Sequence, residues 1–565
     1  MKTYNKIITL FLAIISFTAC EKTFLDLDDP SAPTDASFFQ TERQLEVALA
    51  GAYESLNYRA GGIPFLQVLD SYTDLMFSRA NLGAASTATK GGLTSTEGFM
   101  LNYWKRWYEG IQRLNNLLAN MSKAEAVTDV DRFNEIRGEA LALRAVFYMY
   151  LTEMYGDVPY RTEFPKSLEG LAMARTPKAE IVTNMLTDLS TAASLLPDTP
   201  KDRGRLSALA SHALRARIAL YNGNWSEAEA SSQVVMNSGK YQLDSNYKDM
   251  FTPKGVQASN EVIFDLSFID GVNEHQLPIR QGSRFGGWAT QVPSQQTVDS
   301  YETVNGLPID EDSEFDPANP FENRDPRLKA SIAVPGEIFT DVIFETNSSI
   351  EQVLNVVTGE LVSNQNVTNR YATFTGYQWY KFTDEVAITT GNRFLSEQGI
   401  IVLRYAEVLQ TYAEAKIEAG SIDQSVLDAI NEIRARAYGT TLGDITNYPA
   451  VVTTNQDELR QIIKRERKVE FANEGLRLFD IRRWRIAEKV MNGWLYGSPT
   501  DGWSELGGNL SFVPNIDEDG FIDYAGAPFI DVTGPSTLGT LHYRRNEQRI
   551  FNPAKDYLWP IPQSE

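Results

Sequence analysis

Apolar residues recur at helical spacing over two long stretches of the chain, with a differently patterned segment between them. From residue 41 to about 238, hydrophobic positions fall three and four apart. Thr41 and Gln44 read as a capping box, followed by Leu45, Ala48, Leu49, Ala52 and Tyr53 on one helical face. Tyr103, Trp107, Ile111, Leu114 and Leu118 predict a second helix over about 100–121, and a third runs over about 133–154. Thr176-Pro177 opens a fourth, with Pro at the first helical position, where its missing N–H does no harm. Residues 206–221 and 226–237 form a helical pair; His212 sits among Ala213, Leu214 and Ala216 as a packed core histidine. Helical spacing returns at about 400–419, 424–437 and 456–490. Between about 239 and 392, Gly, Pro, Asn and Ser are dense and the apolar runs are short, as in Glu261-Val262-Ile263-Phe264, which suits strands. Residues 491–565 are again loop-rich.

Two of the helical pairs share a turn. Gly223-Asn224-Trp225-Ser226-Glu227-Ala228 has the shape of a tetratricopeptide-repeat turn: Gly relaxes the chain, the aromatic plugs the gap between helices, and Ala allows close packing. Gly420-Ser421-Ile422-Asp423-Gln424-Ser425 follows the form more loosely. Ala216 and Ala413 each stand seven residues before the turn glycine. The expected fold is therefore mostly α, with tetratricopeptide-like hairpins on one side and an irregular loop and short-strand region on the other. Stacked hairpins expose surfaces suited to protein partners.

The start of the chain is an export signal rather than fold. Lys2 and Lys6 precede an apolar run at 7–17, too short to span a bilayer, which needs roughly 20 helical residues. Phe17-Thr18-Ala19-Cys20 then resembles a bacterial lipobox, with Phe where Leu is commoner. Cys20 is the lipidation candidate, the alternative being an incidental cysteine near an ordinary cleavage site. Residues 1–19 form the signal and 20–40 a lipidated tether, whose Asp26, Asp28, Asp29 and prolines disfavour helix.

Composition removes several functions. The 565 residues include 74 acidic and 52 basic, a net charge of −22, which opposes nucleic acid as a partner. Cys20 is the only cysteine, so intrachain disulfides, zinc–thiolate sites and CxxC chemistry are excluded. The three histidines, His212, His275 and His542, are far apart and form no HExxH pair, so no metal is expected. No GxSxG, phosphate-loop or dinucleotide motif occurs, and neither catalytic residues nor a cofactor is expected. Two well-spaced carboxylates would suffice for a glycosidase, and the acidic content leaves that class open. Residues 457–489 hold ten basic and seven acidic residues; Glu466, Glu470 and Glu474, four apart among Arg467, Lys468 and Arg477, read as an ion-paired helix rather than an anion patch.

The order of motifs resembles the SusD/RagB family, surface lipoproteins of Bacteroidetes that partner TonB-dependent transporters. After Cys20 come Phe24-Leu25-Asp26, Phe38-Phe39-Gln40-Thr41-Glu42 and Gly51-Ala52-Tyr53. Next come Glu139-Ala140-Leu141-Ala142-Leu143-Arg144-Ala145 and Tyr155-Gly156-Asp157-Val158-Pro159. Arg404-Tyr405-Ala406-Glu407 and Asn431-Glu432-Ile433-Arg434 precede Arg465-Glu466-Arg467-Lys468-Val469-Glu470-Phe471, Glu474-Gly475-Leu476-Arg477 and Phe479-Asp480-Ile481-Arg482-Arg483-Trp484. The chain closes on Trp559-Pro560-Ile561-Pro562. The resemblance implies one SusD-like domain over 41–565, an α/α superhelix with scaffold at about 41–238 and 400–490 and ligand-side loops at about 239–399 and 491–565. It further implies non-catalytic capture of a nutrient, an oligosaccharide or in some members a peptide. The captured ligand would pass to a SusC-like TonB-dependent transporter, from a lipid-anchored position at the outer membrane facing the cell exterior.

Sugar binding needs aromatic faces for pyranose rings and Arg, Asp or Asn for hydroxyls, on loops held by a rigid scaffold. Two loops have that composition, and the resemblance places ligand contacts in the same two regions. One carries Tyr72, Asp74, Arg79 and Asn81; the other carries Arg284, Phe285 and Trp288. Burial is the plainer reading of any single aromatic, and Trp288 beside Gly287 is the one best placed for exposure. Tyr377, Trp379 and Tyr380 alternate like a strand and read as core.

Overall fold

Thr41 starts the first helix as its sequence implies. Its hydroxyl accepts from the Gln44 N–H while the Gln44 side chain accepts from the Thr41 N–H, which fixes helix α1 (Glu42–Leu56). The computed structural model describes residues 38–79, 85–165, 172–347, 349–390, 394–499, 512–527, 529–531 and 543–563. The export signal, Cys20, most of the tether and Asn81 lie outside the described residues.

Helices α2 (Gly98–Asn120), α3 (Val130–Tyr155), α4 (Lys178–Leu195), α5 (Ala208–Tyr221) and α6 (Trp225–Asn237) follow, each packed on the one before. Helix α3 also meets α1 and α5, so its C-terminal half is buried on every side, from Gly138 through Thr152. Pro177 stands at the N-cap of α4 with extended backbone, one residue earlier than expected. The first repeat-like turn forms: Asn224 caps α6 at the Glu227 N–H, Ala228 is fully buried, and Trp225 packs at the core edge. His212 is half-buried on α5 rather than fully enclosed.

The second hairpin pairs α7 (Tyr405–Glu418) with α8 (Gln424–Ala437), whose N-cap is Asp423. Helix α7 packs against α6, α8 and α9 (Gln456–Glu470), joining the two hairpins into one helical stack. The fold is mostly helical, with short strands in small sheets and no closed sheet among the described residues. Strands β1 (Met76–Ser78), β2 (Val262–Leu266), β3 (Gln291–Pro293), β4 (Ile400–Arg404), β5 (Gly493–Pro499) and β6 (Tyr543–Arg549) matter here. They pair antiparallel as β1 with β3, β2 with β4 and β5 with β6.

Two predicted helices change. Residues 400–404 are strand β4, not the first turn of α7: the β-branched run Ile400-Ile401-Val402 is buried throughout and hydrogen-bonds β2. The predicted 456–490 helix stops at Glu470 and resumes as α10 (Arg477–Arg483). Gly475, at φ +79°, is the reason: a Cβ there would fall 2.5 Å from the Leu66 carbonyl oxygen, so the chain turns where its backbone meets another.

The acidic residues of this segment are ion-paired, but with other elements. Arg404 and Arg436 hold Glu470, and Arg404 and Lys381 hold Glu474. Arg327 bonds both Glu466 and Glu470 at 3.0 Å. Burial would raise the Glu470 pKa, yet Arg436, Arg404 and Arg327 together hold it well below the usual carboxylate range. These charges tie α9 to β4, α8 and the 325–327 turn, a buried network in which removing one partner strands the others.

Candidate functional site

The pairing of β1 with β3 brings the two loops singled out by composition together. Phe77 lies opposite Val292 and Ser78 opposite Gln291, so Arg79, the next residue, donates its N–H to the Thr290 carbonyl at 2.8 Å. Residues 279–290 fold back on themselves: the Trp288 N–H donates to Ile279 O and the Thr290 N–H to Arg280 O, both at 2.7 Å. Gly287 permits this, since a Cβ there would lie 2.1 Å from the Gly282 oxygen. A third segment is tied to the same loop. Asn369 donates to Ser283 O at 2.9 Å, and Asn369 Oδ1 then accepts the Tyr371 N–H at 2.9 Å. Asn546 of β6 holds the Phe374 carbonyl at 3.0 Å.

The result is an aromatic platform crossed by guanidinium groups. Trp288 and Tyr371, both half-buried, have ring centroids 6.3 Å apart at 37°. Phe374, also half-buried, stacks on Phe77 at 6.2 Å and 17°. The Arg79 guanidinium lies 4.6 Å over Phe374 and 5.4 Å from Tyr371, and donates to the Trp288 carbonyl. Arg280 lies 4.5 Å over Trp288 and Arg370 lies 4.6 Å over Tyr371. Rings so fixed are rigid and half-exposed, and the guanidinium groups lying over them supply hydrogen-bond donors. Such a surface suits a ligand with flat apolar faces and many oxygens.

Other predicted residues sit elsewhere. Tyr72 is corrected from platform to core: it is 4% exposed, parallel to Phe99 at 6.0 Å and edge-on to Trp559. Asp74 is buried, held by Arg477 and Lys468, and offers no free carboxylate. Arg284 is buried against Asp341, with two bonds of 2.8 Å, so it braces the loop instead of facing a ligand. Phe285 is 47% exposed at φ +55°, with Arg284 over its ring. Tyr377, Trp379 and Tyr380 are buried, as their alternation implies. Sequence reasoning missed Tyr371, Phe374, Arg280 and Arg370. The Arg370-Tyr371 pair after Asn369 resembles Arg284-Phe285 in composition, and that was the available signal.

Cavities also lie apart from these residues, among them one of about 410 Å³ beside Glu46, Arg132 and Arg205. Another, of about 620 Å³, lies beside α2 between Trp104, Tyr108, Asn115 and Arg161. A third, of about 320 Å³, lies between Trp494, Tyr496, Phe521 and Arg545. None of the three is lined by any residue of the platform. No helix among the described residues is long and apolar enough to cross a membrane.

Comparison with known proteins agrees with the architecture. The model of the SusD family matches residues 233–565, and a second model, described as starch-binding associating with outer membrane, matches 23–220. SusD-like protein P2 of Formosa agariphila is 24% identical over 517 residues, covering 87% of this chain and 92% of that protein. The solved structure of a SusD-like carbohydrate binding protein from Bacteroides fragilis superposes with a TM-score of 0.76 at 26% identity, covering 93% of this chain and 98% of that one. Surface glycan-binding protein A from Bacteroides fluxus shares the fold, with a TM-score of 0.60 at 21% identity over 80% of this chain and 90% of its own. With more than half of its length matched by one family model and most of the remainder by another, the chain belongs to the SusD family.

Proposed function

We propose that this protein captures a glycan at the cell surface on the platform of Trp288, Tyr371 and Phe374. It then delivers that glycan to a SusC-like TonB-dependent outer-membrane transporter. Residues 1–19 are the export signal, Cys20 carries the lipid, and residues 20–40 tether one SusD-like domain to the outer membrane. The protein binds and does not turn over its ligand.

The observation that carries this reading is the meeting of three half-buried rings with cations on loops braced by the helical stack. The likeness to the starch-binding family of the second model and to the carbohydrate binding protein of Bacteroides fragilis supports the ligand class. The exposed helical repeats support a protein partner.

Calorimetry against a glycan panel tests the reading, with Trp288→Ala as control. Loss of one stacking contact, about 1–3 kcal/mol by analogy with base stacking on aromatic side chains, weakens binding about 5- to 150-fold. The melting temperature stays close to the parent value, because Trp288 is not core. Absence of glycan binding, or a large fall in stability with Trp288→Ala, argues against the platform. Co-purification with a barrel from detergent-solubilised outer membrane tests the partner, and continued fatty-acid labelling of Cys20→Ala would refute the anchor.

A further inference from the structure

Three guanidinium groups converge on the platform, and among the described residues none has a carboxylate within ion-pairing reach. Arg79 meets only rings, backbone oxygens and the neighbouring Arg370. Arg280 is 9% exposed; its Nε has no hydrogen-bond partner, and one Nη reaches the Gly61 oxygen only at 3.5 Å. Arg370 is exposed and faces Tyr371. Most other buried arginines are ion-paired, although Arg324 is held by the Pro320, Val298 and Tyr301 carbonyls alone. Arg404, Arg327, Arg436 and Arg477 each bind at least one carboxylate. Carboxylates are abundant in a chain of net charge −22, yet three neighbouring guanidinium groups here meet none among the described residues.

Burial pushes Arg79 and Arg280 below the usual arginine value, and Arg370 adds like-charge repulsion at Arg79. A half-buried cation cluster without a counter-charge costs stability that a bound anion would restore. A guanidinium carries five N–H donors, more than these contacts use, and its planar fork pairs two-pronged with carboxylate or sulfate oxygens. Neutral hydroxyls could occupy those donors but would leave the charge uncompensated.

We propose that the platform takes an anionic glycan, one whose sugar rings carry carboxylate or sulfate groups, and that Arg79, Arg280 and Arg370 determine that preference. This rests on the glycan-capture reading above. An acidic peptide carries similar anions, but tilted rings 6.3 Å apart suit successive pyranose faces better than an extended backbone.

The test is calorimetry on the full-length chain purified in detergent. Its probes are an oligogalacturonate, its neutral methyl ester, a sulfated carrageenan oligosaccharide, its desulfated counterpart, laminarin oligosaccharide and an oligoglutamate peptide. A charged glycan is expected to bind at least roughly tenfold tighter than its neutral counterpart, about 1.4 kcal/mol. The arm that binds distinguishes carboxylate from sulfate. Arg280→Gln and Arg370→Gln should each remove about fivefold or more of that preference, charged binding falling by more than neutral binding. Should Arg280→Gln fail to fold, the exposed Arg370→Gln decides. Equal binding of charged and neutral pairs, or binding of laminarin alone, overturns the anionic preference and leaves glycan capture standing. Oligoglutamate binding tighter than any glycan overturns the anionic-glycan assignment in favour of peptide. No glycan binding, together with no effect of Trp288→Ala on any probe, overturns both.

Discussion

Arg477 holds Asp74 through two hydrogen bonds of 2.9 Å, one from Nε and one from Nη2, and so fastens the loop that leads to Arg79 onto the helical frame. Lys468 of α9 adds a third contact at 2.9 Å. Burial alone would raise the Asp74 pKa, but Arg477 and Lys468 hold it well below the usual carboxylate range. Asp74→Ala leaves two buried cations without their partner, which is expected to cost about 3–5 kcal/mol in denaturant titration. The wild-type pair stabilises the fold above the ordinary aspartate pKa and loses that contribution as pH falls below it. Glycan affinity should fall along with stability, because Arg79 depends on this loop. An Asp74→Ala variant as stable as the parent at pH 7 would refute the fastening.

His275 gives an acid sensitivity of its own. It is fully buried; Nε2 donates to the Gln398 carbonyl at 3.0 Å and Nδ1 accepts the Leu277 N–H at 3.3 Å, which fixes the neutral tautomer. Burial, aided by the charge of Arg59, pushes its pKa down to about 4. The unfolded chain therefore binds this proton first. The stabilising contribution is complete above about pH 6.5 and is lost as pH falls towards 4, by about 3 kcal/mol. His275→Gln should flatten melting temperature against pH between those values; an unchanged slope would exclude His275 as its source.

Asp70 works in the opposite direction. Its carboxyl is buried, accepts the Gly475 N–H at 3.0 Å through Oδ2, and has no partner at Oδ1. Burial pushes its pKa up to about 7, against the Gly475 bond and the charges of Lys381 and Arg477. Folding favours the protonated form, so stability falls as pH rises from about 4 to about 7, by up to about 4 kcal/mol, and then levels. Asp70→Asn keeps the acceptor and removes the charge. Its melting temperature should exceed the parent's at pH 8 and approach it at pH 4.5; a variant less stable than the parent at pH 8 would contradict this.

Local signals carried the fold a long way and the site only part of it. The capping box at Thr41 and the turn at Asn224-Trp225 are settled within a few residues, and both form as written. The break before α10 was not legible, because it depends on Gly475 meeting the Leu66 backbone, which is remote in sequence. Strand β4 was misread because Ile400-Ile401-Val402 fits a buried strand or a buried helix equally, and only its partner β2 decides. At the site, loop composition pointed to Arg79 and Trp288. Tyr72, Asp74 and Arg284 have the same composition, yet Trp559, Arg477 and Asp341 bury them, and those partners lie far along the chain. Tyr371 and Phe374 reach the platform through Asn369 and Asn546, contacts that no spacing rule announces.

Those last contacts lead to a prediction about coupling. Tyr371 touches Trp288 at 6.3 Å, and both Arg79 and Arg370 lie over its ring. If the rings present one surface to one ligand, removing either should disturb the other's hold on it. Trp288→Ala and Tyr371→Ala should each weaken glycan binding, and the double variant should lose less than the sum of the two. The interaction energy is expected to be about 0.5–1.5 kcal/mol, within the range for residues in direct contact. Melting curves of all four proteins check that the platform, and not the fold, has been altered. Additivity to within about 0.3–0.5 kcal/mol would mean that the two rings meet different parts of the ligand and act independently.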